Sequence, residues 1–178
     1  AQGTDGVEGT NTVFYLSHEE TKNIPQDRTV TYGRIVVDYW PQKKDPNRVR
    51  ITVGSNLIKY PGEVTTRTAD MTTSKVLWIS VLSTADAEYD CADVKNFYLE
   101  TPMERYEYMR IPVHLIPDEF IQAYGLQDKI YKGYLYLEIR RGMYGLPQAG
   151  IILANKRLRK QLEPHGNYEA KHTPGLLK

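Results

Sequence analysis

Between Tyr134 and Arg140 the chain alternates without a break. Leu135, Leu137 and Ile139 fall on one side, and Tyr134, Tyr136, Glu138 and Arg140 on the other. An extended strand sorts residues with a period of two, so this segment predicts a strand with one face in a core and one toward water. A chain with such a strand must build a sheet around it and cover one face. The sequence has 178 residues, 40% hydrophobic and 25% charged, which is material for one ordinary domain or two small lobes.

The remaining punctuation supplies partners for that strand. Residues Ala1 to Asn11 are rich in Gly, Thr and acids and read as a flexible lead. Thr12 to Leu16 reads as a short strand and Ser17 to Arg28 as a polar connection. Tyr32 to Tyr39 and Arg48 to Val53 are β-rich runs around the turn-forming, basic loop Pro41 to Asn47, a hairpin with a long basic tip. A helix is expected from Ala69 to Ser83, with Met71, Lys75, Trp78 and Leu82 at helical spacing and Thr68 or Asp70 as cap. Tyr89 to Val94 and Tyr106 to Pro112 read as extended. Pro117, Asp118 and Glu119 open a short helix that Gly125 closes. A last helix carries Ile151, Ala154, Leu158 and Leu162 on one face, with Pro164 and Gly166 ending it. The order predicts an α+β fold, an antiparallel sheet with helices packed on one side.

Composition excludes several classes of function. A formal net charge of +1 does not announce a nucleic-acid binder, so any such contact falls to local basic clusters. The one cysteine, Cys91, forms no intrachain disulfide and no cysteine zinc site. The four histidines lack metal-ligand spacing. There is no apolar run of membrane-spanning length and no signal-peptide core at the N-terminus, so the expected setting is intracellular and cytoplasmic, without a membrane partner. The first residue is not Met, which reads as part of a longer product.

Two segments carry chemistry. In Ala92-Asp93-Val94-Lys95-Asn96-Phe97-Tyr98-Leu99 an acidic residue closes a short apolar run and an aromatic pair follows. A carboxylate held at a strand end suits a metal ion or a charged substrate, although a single one is more often a turn former. Further along, Arg141-Gly142-Met143-Tyr144-Gly145-Leu146-Pro147-Gln148-Ala149-Gly150 is a Gly-rich turn entering a helix. As local structure it reads as a turn plus cap, which fixes where Gln148 points. Basic residues flank both regions: Arg34 in the first β run, Lys43 and Lys44 at the hairpin tip, and Lys156, Arg157, Arg159 and Lys160 on the last helix. Each reads either as a solvated charge or as a phosphate contact.

Together, and in this order, these segments resemble two core motifs of reverse transcriptases, especially those of copia-like LTR retrotransposons. Gly33 to Tyr39 is similar to the fingers strand before the fingers hairpin, Tyr60 to Ser83 to the fingers–palm link, and Tyr108-Met109-Arg110-Ile111-Pro112 to the segment after the first palm motif. The resemblance implies fingers and partial palm of a right-hand polymerase: a tail and connection over 1–31, a fingers-like hairpin and linking helix over 32–88, and a partial palm over 89–178. It implies transfer of deoxynucleotides to a DNA primer on an RNA or DNA template, with Mg²⁺ as cofactor. Asp93 would be the catalytic metal ligand and Val94 would lend its carbonyl. Arg34, Tyr98, Gln148 and Gly150 would bind the nucleotide, Tyr98 excluding a 2′-hydroxyl, and the basic clusters would touch nucleic acid. The remainder of a polyprotein would be a partner and a virus-like particle the setting.

One departure bears on activity. The sequence contains no adjacent Asp-Asp pair, the second carboxylate motif of that family. The expectation is therefore a chain that stops before that hairpin and is inactive by itself. The alternatives are a non-catalytic nucleotide or nucleic-acid binding module and an unrelated α+β interaction domain.

Overall fold

The computed structural model describes residues 8–62, 64, 70–89, 96–150, 156–173 and 176–177. Five strands form one sheet: β1 (Val13–Leu16), β2 (Val30–Tyr39), β3 (Asn47–Val53), β4 (Pro102–Pro112) and β5 (Tyr134–Arg141). The spatial order is β1-β5-β4-β2-β3. Short helices lie between them: α1 (His18–Thr21), α2 (Met71–Leu82), α3 (Asp118–Ala123) and α4 (Lys156–Leu162). The architecture is mixed α+β, as expected.

The alternating segment is β5, an inner strand held between β1 and β4. Leu135, Leu137 and Ile139 are 0–3% exposed. Opposite them on β4 stand Ile111, Met109 and Glu107, in antiparallel register with Leu135, Leu137 and Ile139. Ile121 of α3, Leu126, Met143, Leu146 and Ala149 close the core over this face. Burial of these chains supplies the main drive to fold, at about 25 cal/mol per Å² of apolar area.

The sheet departs from the antiparallel expectation at one seam. β2 is shared: Gly33 to Tyr39 pairs antiparallel with β3, while Val30 to Tyr32 pairs parallel with Tyr108 to Arg110 of β4. A parallel pair needs a long crossover. The chain makes it between β3 and β4, over 54–101, the stretch that carries α2.

The helix packing also differs from expectation. Asp70 caps α2, accepting from the Thr73 amide at 2.7 Å. Yet no α2 residue is buried, and Met71, Trp78 and Leu82 are exposed. Val76, Leu77, Trp78 and Ile79 run consecutively, so apolar surface faces every direction and no single face is set against the sheet. α3 does pack on the core, through Ile121. Its acidic first turn and the positive φ of Gly125 (57°) match the expected start and stop. The expected strand at Tyr89 to Val94 and the Ile151 and Ala154 half of the last helix face lie outside the described residues. Leu158 and Leu162 of that face are half-buried.

Candidate functional site

Two segments more than forty residues apart in sequence meet beside the sheet. After Asn96, whose φ is 56°, the chain turns rather than continuing as a strand. The Glu100 amide donates to the Asn96 carbonyl at 3.1 Å, and the Thr101 amide to the Tyr98 carbonyl at 3.1 Å. The Thr101 hydroxyl donates to the Phe97 carbonyl at 2.7 Å. This turn is tied on both sides. The Gly142 amide donates to the Thr101 carbonyl at 2.8 Å, and the Thr12 hydroxyl to the Leu99 carbonyl at 3.0 Å. The rings of Tyr98 and Tyr144 then meet edge to face, centroids 5.8 Å apart, a favoured aromatic geometry.

The Gly-rich turn is itself locked to the hairpin. The Val53 amide donates to the Tyr144 carbonyl at 2.8 Å. Gly145 follows at φ 94°, and a Cβ there would overlap the Val53 backbone. Only glycine meets both demands, a left-handed conformation and a backbone passing this close. Gln148 is the last turn residue before a π-helical start at Ala149 and Gly150, and α4 begins at Lys156.

Gln148 is 3% exposed, and its Nε2 donates to Oε1 of Glu107 at 3.3 Å. Its own Oε1 is buried without a hydrogen-bond partner among the described residues. Glu107 is a carboxyl in the core, 1% exposed. Burial pushes it above the ordinary carboxylate range, against the opposing pull of the Arg105 guanidinium, whose Nε lies 3.3 Å from Oε1.

In front of this pair opens a cavity of about 420 Å³, lined by Tyr60, Pro61, the strand start from Thr101 to Arg105, Gln148, Arg157 and Lys160. The four basic residues of the last helix therefore separate. Arg157 and Lys160 line the cavity. Arg159 is held by Glu169, Nη2 to Oε2 at 2.7 Å. Of the Lys156 side chain the structure describes nothing.

The other expected site residues fall elsewhere. Gly33 lies against Met109 and Ile111, so the alternation of β2 sends Arg34 to the sheet face opposite Gln148. There its Nη2 donates to the Tyr32 hydroxyl at 2.7 Å, and its guanidinium lies 5.0 Å from that ring centre. Lys43 and Lys44 are exposed on the tip between β2 and β3. Gly150 is half-buried just after Gln148. Asp93 and Val94 lie outside the described residues. Among those described, no three His, Cys, Asp or Glu gather in a metal-binding group, so they supply no second shell from which to judge a Mg²⁺ site.

No family model, curated protein or solved structure matches this chain. Among the described residues no helix is long and apolar enough to cross a membrane. The sequence reading did not single out Glu107, Arg105, Thr101 or Tyr144. The signal for Glu107 was present: it shares strand parity with Met109 and Ile111, which places a carboxylate on an apolar face.

Proposed function

We propose that the chain is part of the fingers and palm of a copia-like RNA-directed DNA polymerase, and that the residues around Tyr98 and Gln148 bind a deoxynucleotide. The observation that carries this reading is the meeting of its two motifs. Tyr98 packs on Tyr144, Thr101 bonds to Gly142, and Gln148 stands on the same turn. Two segments that resemble polymerase motifs in sequence thus stand side by side, an arrangement that supports a shared nucleotide site.

The roles follow from chemistry. Tyr98 is braced by a neighbouring ring and a hydrogen-bonded turn, so it presents a rigid edge to a sugar; a 2′-hydroxyl would meet that edge. Gln148 presents an amide from a fixed turn, and Gly150 lets a base pair approach the backbone. Asp93 and Val94 would hold Mg²⁺, which when bound neutralises phosphate charge. Template RNA and primer DNA would contact the basic tip, Lys43 and Lys44, and the helix that carries Lys156, Arg157, Arg159 and Lys160.

One observation favours a second reading, a non-catalytic binding module. Arg34 and Gln148 stand on opposite faces of the sheet, so they do not form one clamp on a triphosphate. Because the sequence has no adjacent Asp-Asp pair, the assignment here is of nucleotide binding rather than turnover.

Titration of the purified chain with dATP and with ATP, Mg²⁺ present, tests the proposal. Deoxynucleotide should bind about tenfold more tightly, a difference of about 1.4 kcal/mol. Tyr98→Ala should bring the two affinities together. Equal affinities in the unaltered chain would refute the sugar-gate role of Tyr98.

A further inference from the structure

The cavity in front of Gln148 gathers two helix cations, Arg157 and Lys160, that the polymerase reading leaves to a nucleic-acid backbone. Among the described residues three cations line it, Arg105, Arg157 and Lys160, against one carboxylate, Glu104. Arg105 is largely committed: it faces Glu107, and its Nη2 donates to the Lys59 carbonyl at 3.3 Å. Arg157 is not. Among the described residues its Nη1 reaches the Thr101 hydroxyl oxygen alone, at 3.4 Å, a neutral acceptor whose own proton goes to Phe97. A guanidinium has five N–H donors, so most of its capacity is unspent. Among the described residues, neither Arg157 nor Lys160 has a carboxylate within ion-pair distance.

Such an arrangement differs from ordinary solvated helix charge. Arg159, between them in sequence, shows the usual solution, an ion pair with Glu169. These two cations, without an ion-pair partner among the described residues, instead converge on a concave site whose other walls include Tyr60, Pro61, Pro102 and Met103. The volume of about 420 Å³ falls in the range of small-ligand pockets, roughly 300–1,000 Å³. A planar fork beside an ammonium suits a phosphoryl group, whose oxygens accept paired N–H bonds. The apolar and aromatic walls suit a flat, uncharged remainder.

We propose that this cavity binds a phosphorylated small molecule of mononucleotide size, its phosphoryl oxygens held by Arg157 and Lys160 and its ring system against Tyr60 and Pro61. The assignment does not rest on the polymerase reading. It uses neither Tyr98 nor Asp93.

Calorimetric titration of the chain with adenosine monophosphate at low ionic strength tests it. AMP should bind and adenosine should not, with inorganic phosphate competing for the same site. Arg157→Gln and Lys160→Gln should each weaken AMP by about fivefold or more, the loss of a charge-assisted contact. Arg159→Gln removes the same charge from the same helix but should change affinity by less than about twofold, its cation being already paired. Circular dichroism on each variant establishes that the fold is kept. Loss of AMP binding in Arg157→Gln with the dATP-over-ATP preference kept separates this outcome from failure of the deoxynucleotide site. Three results would overturn the proposal. The first is no saturable binding of AMP. The second is an equal loss in Arg159→Gln. The third is a single-stranded oligonucleotide without terminal phosphate that binds as tightly through the same residues, which would make the cavity a strand groove.

Discussion

Glu107 is the residue whose setting makes the sharpest demand on the fold. Its carboxyl lies on the apolar face of β4, bonded by Gln148 and faced by Arg105. Burial raises its pKa from the ordinary value of 4.5. The folded chain therefore holds this proton more tightly than the unfolded chain does. The stabilisation is fully present below the unfolded value of 4.5 and is lost as pH rises through the raised folded value. Glu107→Gln removes the titration and keeps the shape. Its urea midpoint relative to the unaltered chain should climb as pH rises from the unfolded value of 4.5 and level off beyond the raised folded value. A difference that stays flat over that range would contradict the account of Glu107. At this scale the sequence was partly legible. The parity of Met103, Met109 and Ile111 marks the apolar face and exposes Glu107 as an anomaly on it. The partner Gln148 lies 41 positions further on, and no local pattern announces a pairing that depends on how the turn docks.

Among the elements, the turn from Gly142 to Gln148 does most to join distant parts. It bonds to Thr101 on one side and to Val53 on the other, and it sets Tyr144 against Tyr98. Gly145→Ala should strain this turn twice, through the positive φ and through overlap with Val53, and cost about 1–3 kcal/mol. A denaturant titration measures it; a variant as stable as the unaltered chain would show that the turn relaxes freely. Elements with strictly local signals were readable in advance. The alternation of β5, the Pro- and Lys-rich tip between β2 and β3, the Asp70 cap and Gly125 each encode their own geometry. The parallel seam between β2 and β4 was not, because it depends on where a crossover of nearly fifty residues lands. Nor was the exposure of α2, since a Met71, Trp78 and Leu82 stripe promises burial only if something is there to cover it.

Across the whole molecule, one sheet draws on all three stretches into which the sequence was divided. β1 from the lead pairs with β5, and β2 from the hairpin pairs with β4. That sheet has two unlike sides. The Gln148 side carries the core, the cavity and the Tyr98 turn; the other carries Arg34 on Tyr32, Arg110 on Tyr134 and Arg140 on Phe14. The central claim is that the turn at 97–101 and the turn at 142–150 form one nucleotide site on the first side. Hydrogen–deuterium exchange of the chain with and without saturating dATP and Mg²⁺ tests it most directly. The account predicts slowed exchange in both segments together, with the 40–46 tip unchanged. Protection confined to one segment, or absent from both while dATP is bound, would contradict it.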